Sequence, residues 1–154
     1  MAVSPSERDW QIRVHIYQFL VEHARPPTAG ETAGRFGMTE ADVREAYQRL
    51  HDGHALFLEP GATDVRMANP LSGVETPYRV TVNDRTLFAN CAWDSVGIPV
   101  MLGADAAIES VYSDASGTDT PAHYAIVDGQ LRDDEGLVHF PLPFRRWYDD
   151  LIHT

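Results

Sequence analysis

RVTVNDRTLFANCAWDSVGIPVMLGADAAIES, residues 79–110, carries two strand-like runs, a turn, a long apolar run and the start of another strand. The segment TPYRVTV (76–82) alternates apolar and polar residues, and Asn83-Asp84 is a turn pair that hands the chain to TLFAN (86–90). Residues 91–102 are apolar over a length that suits a buried helix, although Gly97 and Pro99 predict that it is short or kinked. Downstream, IESVYSD (108–114) and HYAIVDG (123–129) flank Ser116-Gly117 and read as a hairpin. LVHFPLP (137–143) reads as one more strand, at an edge because proline cannot donate to a ladder.

Upstream the pattern is helical. Ser4-Pro5-Ser6-Glu7 has the form of a capping box with proline at the first helical position. Trp10, Val14, Tyr17 and Val21 recur at helical spacing beside Ile16 and Leu20, and Arg25-Pro26-Pro27 should end this helix. Thr28 and Glu31 form a second capping box, opening a helix through Phe36 that Gly37 terminates. Thr39 caps a third helix with Val43, Tyr47 and Leu50 on one face and Gly53 at its end. ALFLE (55–59), a Pro60-Gly61 turn and DVRMA (64–68) follow as a short hairpin. Three helices and a hairpin are the order of a winged-helix module. The fold class expected is therefore α+β: a winged-helix-like part at 1–70, then a small mixed or antiparallel sheet domain at 71–154 with a buried helix.

Composition bounds the function. With 44% hydrophobic and 10% aromatic residues, the 154-residue chain suits a folded soluble protein rather than a disordered one. It has no run of about 18 apolar residues, so no membrane span is expected. The start MAVSPSERDW lacks the basic and apolar regions of a secretory signal, so the expected location is cytoplasmic. The formal charge of −11, from 23 acids against 12 Lys and Arg, disfavours a phosphate-tracking surface. The third helix, EADVREAYQRLHD, is itself net negative, with only Arg44 and Arg49 to offset its acids. A DNA-reading role would rest on these two and Arg35, so nucleic acid is not the expected partner.

The chain holds a single cysteine, Cys91, and Asp94 lies three residues on. A free cysteine in an apolar segment is ordinarily a small buried hydrophobe. Here it opens a predicted helix, where backbone N–H groups favour the thiolate, and the i,i+3 spacing puts Asp94 on the same side of the turn. Trp93, Val96, Ile98 and Val100 surround that acid with apolar side chains, which penalise an uncompensated carboxylate. Two such groups titrate together and hold one proton between them. The pair supplies a soft nucleophile and a proton donor, suited to thiolate attack on a soft electrophile such as mercury with protonation of what leaves.

This stretch, with the preceding PPT…GMTEADVREAYQRL, resembles the alkylmercury (organomercurial) lyases over roughly residues 10–130, most specifically at Cys91–Gly103. The resemblance implies that Cys91 binds mercury as the nucleophile. Asp94 would help deliver a proton to the departing carbon and share in the mercury site. It implies a small-molecule organomercurial as substrate and no tightly bound cofactor. The family uses a second, downstream active-site cysteine, which this sequence lacks; FRRWYDDLIHT (144–154) resembles the approach to that position. A shortened chain, a missing C-terminal part and a divergent member remain open, and an external thiol could supply the second sulfur. A non-catalytic heavy-metal or small-molecule binder is the alternative on the same scaffold, with a winged-helix regulator behind it. The sequence leaves the oligomeric state open.

Other clusters have plainer readings. His51 and His54 read as solvated helix-end histidines, and Asp133-Asp134-Glu135 and Asp149-Asp150 as turn and surface acids rather than cation sites. Ser95 follows Asp94 without a nucleophile elbow, and no phosphate loop or dinucleotide fingerprint occurs. Arg145, Arg146 and Trp147 read as an amphipathic helix turning its aromatic residues inward.

Overall fold

A computed structural model describes residues 4–114, 116–132, 136–140 and 142–149. The fold is α+β. Helices α1 (Glu7–His23), α2 (Ala29–Phe36) and α3 (Glu40–Asp52) come first. A three-stranded sheet follows, β1 (Phe57–Leu58), β2 (Val65–Ala68) and β3 (Leu71–Ser72) in that order. The rest is a five-stranded sheet of order β5-β4-β6-β7-β8, built from β4 (Arg79–Val82), β5 (Arg85–Phe88), β6 (Ala106–Ser113), β7 (Asp119–Val127) and β8 (Gln130–Arg132). Helix α4 (Ala92–Leu102) connects β5 to β6, and a 3-10 helix, Phe144–Asp149, closes the described chain. Every strand pairing among the described residues is antiparallel.

Local chemistry sets the helix ends. Each of α1, α2 and α3 opens on a complete capping box: Ser6 with Asp9, Thr28 with Glu31, Thr39 with Asp42. The box of α1 thus starts two residues later than Ser4, because Asp9 also reaches Arg49 on α3, 40 positions away. The inward stripe of α1 also differs from expectation. Ile12, Ile16 and Leu20 are buried, whereas Trp10 and Val14 are about half exposed, at 46% and 53%. Two apolar stripes run along this helix, and the packing partners on α3 select one of them.

The core is continuous from the helices to the large sheet. Ile12, Ile16 and Leu20 belong to one cluster with Val43, Tyr47 and Leu50, and it extends through Leu56, Val65 and Leu71 to Val80, Leu87, Ile98 and Ile108. Its polar member Thr32 is satisfied, its hydroxyl lying 2.7 Å from that of Tyr47. The β2–β3 hairpin turns on Asn69-Pro70, so the expected division at 70/71 falls inside it, and a bridge from Leu71 to Ala89 ties the two sheets together. Gly73 ends this hairpin where a side chain cannot fit: a Cβ there would stand 2.3 Å from the Val65 carbonyl oxygen.

One expectation fails downstream. Residues 137–140 and 142–143 form no strand, because prolines deprive this stretch of ladder donors and it runs instead as an irregular arm. The helix expected over 91–102 is present as α4, with Pro99 inside it, and after Leu102 Gly103 takes the left-handed conformation at φ 60°. The acids at 133–135 and 150, and the side chain at 149, lie outside the described residues. No helix among the described residues is long and apolar enough to cross a membrane.

Candidate active site

Strand β5 leaves the large sheet at Phe88, Ala89 bridges to β3, and the chain then turns into α4 through Asn90 and Cys91. Cys91 is the N-cap residue and Asp94 stands in the first helical turn. Both line a cavity of about 120 Å³ whose walls come from β2 and β3 (Arg66, Met67, Ser72), the loops around them (Asn69, Thr76, Asn90), the start of α4 (Trp93) and the C-terminal arm (Phe140, Trp147). The structure therefore brings the two sequence-predicted residues together at a reachable site. Cys91 is partly exposed, neither sealed in the core nor free on the surface.

The electrostatics of the pair differ from the expectation in one respect. The helix N-terminus was expected to favour the thiolate, and the Asp94 and Trp93 backbone N–H groups do pull in that direction. Burial outweighs them and, together with the negative charge of Asp94, pushes the Cys91 thiol up. Burial also raises the Asp94 carboxyl above the ordinary carboxylate value, against the opposing hydrogen bond from Asn90. Burial thus shifts both groups toward their protonated forms. Tyr78 and Tyr17 border this field: burial, then the charge of Cys91, raises the Tyr78 phenol, and burial raises that of Tyr17 with a smaller contribution from Asp94.

Asn90 was not singled out from the sequence, and it is the best-connected side chain of the site. Its Nδ2 donates to Asp94 Oδ2 and to Asn69 Oδ1, each at 3.0 Å, and lies 3.3 and 3.4 Å from the Pro70 and Leu71 carbonyl oxygens. Its Oδ1 is buried without a partner. Arg66 also stands in the wall, its guanidinium holding Glu59 at 3.0 Å while the buried Nε has no partner. The aromatic side was read as a strand and an inward-packing helix. Phe140 lies in no strand and stacks on Trp147 of the 3-10 helix at 5.1 Å between centroids, meeting Trp93 edge-on at 6.0 Å. The one local signal for Asn90 was a polar residue between a strand and a thiol-bearing helix; nothing local pointed to Phe140.

The family model for alkylmercury lyase, MerB, matches residues 71–151, a span that holds both Cys91 and Asp94. The chain belongs to the alkylmercury lyase family. Its fold is similar to that of the crystal structure of the mercury-bound form of MerB2, with a TM-score of 0.64 at 21% identity. That likeness covers 83% of this chain and 60% of the other, so this family member spans less than two thirds of that structure. No curated protein matches it in sequence.

The remaining candidates have structural partners. His51 is not simply solvated, since its Nδ1 accepts the Leu58 backbone N–H at 3.3 Å, and His54 stacks on Tyr148 at 4.1 Å. Ser95 is buried and its hydroxyl donates to the Ala92 carbonyl oxygen at 2.6 Å, which accounts for it as a helix residue. Arg44 pairs with Glu40 and Arg49 with Asp9, while Arg35 lies over the Phe36 ring. No cluster of three or more His, Cys, Asp or Glu able to hold a metal ion exists among the described residues.

Proposed function

We propose that this family member cleaves the carbon–mercury bond of organomercurials, with Cys91 as nucleophile and Asp94 as proton donor. The observation that supports this most is the shared cavity of the thiol and the carboxyl inside the span matched by the family model. Cys91 sulfur attacks mercury and displaces the thiolate ligand that accompanies the organic group, the Cys91 proton leaving with that ligand as free thiol. The Asp94 carboxylic acid then protonates carbon: the carbon–mercury electron pair becomes the new carbon–hydrogen bond, and mercury(II) stays on sulfur. An external thiol supplies the second sulfur, its thiolate joining mercury and its proton returning to Asp94, and a further thiolate frees Cys91. Soft-ligand preference makes sulfur the anchor, and burial, by raising the Asp94 carboxyl, favours the protonated form that the donor role needs.

The cavity also bears on the organic group. An apolar cavity of about 150 Å³ is known to accept benzene, and this one is of similar size with Trp93, Phe140 and Trp147 on its wall. A phenyl group is therefore within its range.

The test is turnover of phenylmercury with excess small thiol, following release of benzene. Wild type should release benzene repeatedly. Asp94→Asn should keep stoichiometric mercury capture and lose roughly 10²- to 10⁴-fold in rate, the usual worth of a positioned proton donor. Mercury capture by wild type without benzene would replace the lyase reading with that of a binding protein.

A further inference from the structure

Asn90 occupies the junction of three segments: the β2–β3 turn, the end of β5 and the first turn of α4. Its amide has two hydrogens, and the two shortest contacts, both 3.0 Å, go to side-chain oxygens: Asn69 Oδ1 and Asp94 Oδ2. The orientation of the amide is fixed by its surroundings. Turning it over would set its oxygen against the Pro70 and Leu71 carbonyls as well as these two acceptors. The fold accepts a bare, buried Oδ1 to keep the N–H groups where they are.

The consequence falls on Asp94. Its Oδ2 accepts a hydrogen bond, whereas no hydrogen bond to Oδ1 is found among the described residues, and Asp94 lines the cavity. The carbonyl oxygen of a carboxylic acid accepts N–H better than its hydroxyl oxygen does, so accepting from Asn90 at Oδ2 favours a proton on Oδ1. We propose that Asn90 is a positioning residue that pins Oδ2 of Asp94 and thereby presents the transferable proton on Oδ1, toward the cavity shared with Cys91. This rests on the lyase reading for the reaction it serves. When the proton moves from Oδ1 to carbon, the charge left on the carboxylate meets a donor already in place, which requires no reorganisation at that moment. Arg66, Tyr17 and Tyr78 are the other titratable groups bordering the pair, and no hydrogen bond joins them to Asp94.

The experiment compares wild type with Asn90→Ala and with Asn90→Gln, which keeps the amide while shifting its donor by one methylene. Phenylmercury turnover, mercury(II) capture, thermal midpoint and the carboxyl 13C resonance of Asp94, assigned by its loss in Asp94→Asn, are all measured at one pH. Expected is a fall in kcat of about 10- to 100-fold, the range for losing a hydrogen bond to a charged group. KM should stay within about twofold, mercury capture should stay stoichiometric, and the carboxyl resonance should move. If Asn90→Ala does not fold, the same split is required of Asn90→Gln. An unchanged kcat, or parallel losses of KM, capture and thermal midpoint in both variants, would overturn the proposal. If wild type itself releases no benzene, the lyase reading fails separately, and the carboxyl resonance decides alone: unmoved in both variants, it sinks the Asn90 contact.

Discussion

Asp9 and Asp94 hold the same place in their helices, three residues after the N-cap, and meet opposite fates. Asp9 closes a capping box with Ser6 and takes both oxygens to the Arg49 guanidinium at 3.0 Å. Burial alone would raise its pKa, but the Arg49 and Ser6 hydrogen bonds outweigh burial and hold it below the ordinary value. Asp94 follows a cysteine whose side chain makes no cap hydrogen bond, and among the described residues its carboxylate accepts one hydrogen bond, from Asn90. The backbone differs too: Ser6, Thr28 and Thr39 have φ between −81° and −67°, whereas Cys91 has −153°. A C-x-x-D segment in the frame of an S-x-x-D capping box is thus a helix start with its stabilising bonds withheld. The first arrangement locks α1 onto α3. The second leaves a thiol without a cap hydrogen bond and an acid without a charged partner at a cavity, where the proposed chemistry would use them.

The largest stability effect should come from breaking the satisfied member. Arg49→Met leaves the Asp9 carboxylate, only 1% exposed, with Ser6 as its sole partner. Removing one partner of a buried pair costs about 3–5 kcal/mol; the partial exposure of Arg49 argues for the lower end. At about 2–4 °C per kcal/mol for a domain of this size, the thermal midpoint should drop by roughly 6–12 °C. Asp9's lowered pKa means that the pair stabilises the fold above the unfolded carboxylate value and loses that contribution as pH falls through the folded one. The difference between variant and wild type should therefore shrink in acid. A midpoint unchanged at neutral pH would show that the pair does not hold α1 to α3.

How far the sequence revealed these two sites follows from the range of the contacts that define them. The boxes of α2 and α3 close within four residues and can be read directly. That of α1 cannot, because Ser4 and Ser6 each have an acid three residues on, and Arg49 decides between them. The two- and three-residue strands β3 and β8 exist only through their partners, so periodicity could not find them. Cys91 and Asp94 were visible as chemistry out of place in an apolar run. Asn90 and Phe140 were not, since the first acts through a turn some 20 residues earlier and the second through an arm without regular structure.

A smaller effect sharpens the comparison from the other side. Cys91→Ser removes the thiol and should abolish the proposed mercury capture, while placing a cap former at the start of α4. A restored N-cap is worth about 0.5–1 kcal/mol, or roughly 1–4 °C in the thermal midpoint, and the variant should gain it. Differential scanning calorimetry decides. A lowered midpoint would mean that the extended backbone at Cys91, rather than the weak hydrogen bonding of sulfur, withholds the cap.

The smallest effect is the most specific, because its sign with pH is opposite to that of Asp9. A carboxyl whose folded pKa is raised binds its proton more tightly in the folded state than in the unfolded one. Stability from that proton is complete below the unfolded carboxylate value and declines as pH rises through the folded one. Asp94→Asn removes the titrating group while keeping its shape, so the variant should match wild type in acid and exceed it at neutral pH by about 1 kcal/mol or less. Thermal midpoints of both proteins between about pH 3 and pH 8, bracketing the ordinary carboxylate value, measure the divergence directly. Were Asp94→Asn instead less stable at neutral pH and equal only in acid, Asp94 would be a paired carboxylate like Asp9, and the Asn90 hydrogen bond would have overcome burial. The acid would then lack the proton that carbon–mercury cleavage requires of it.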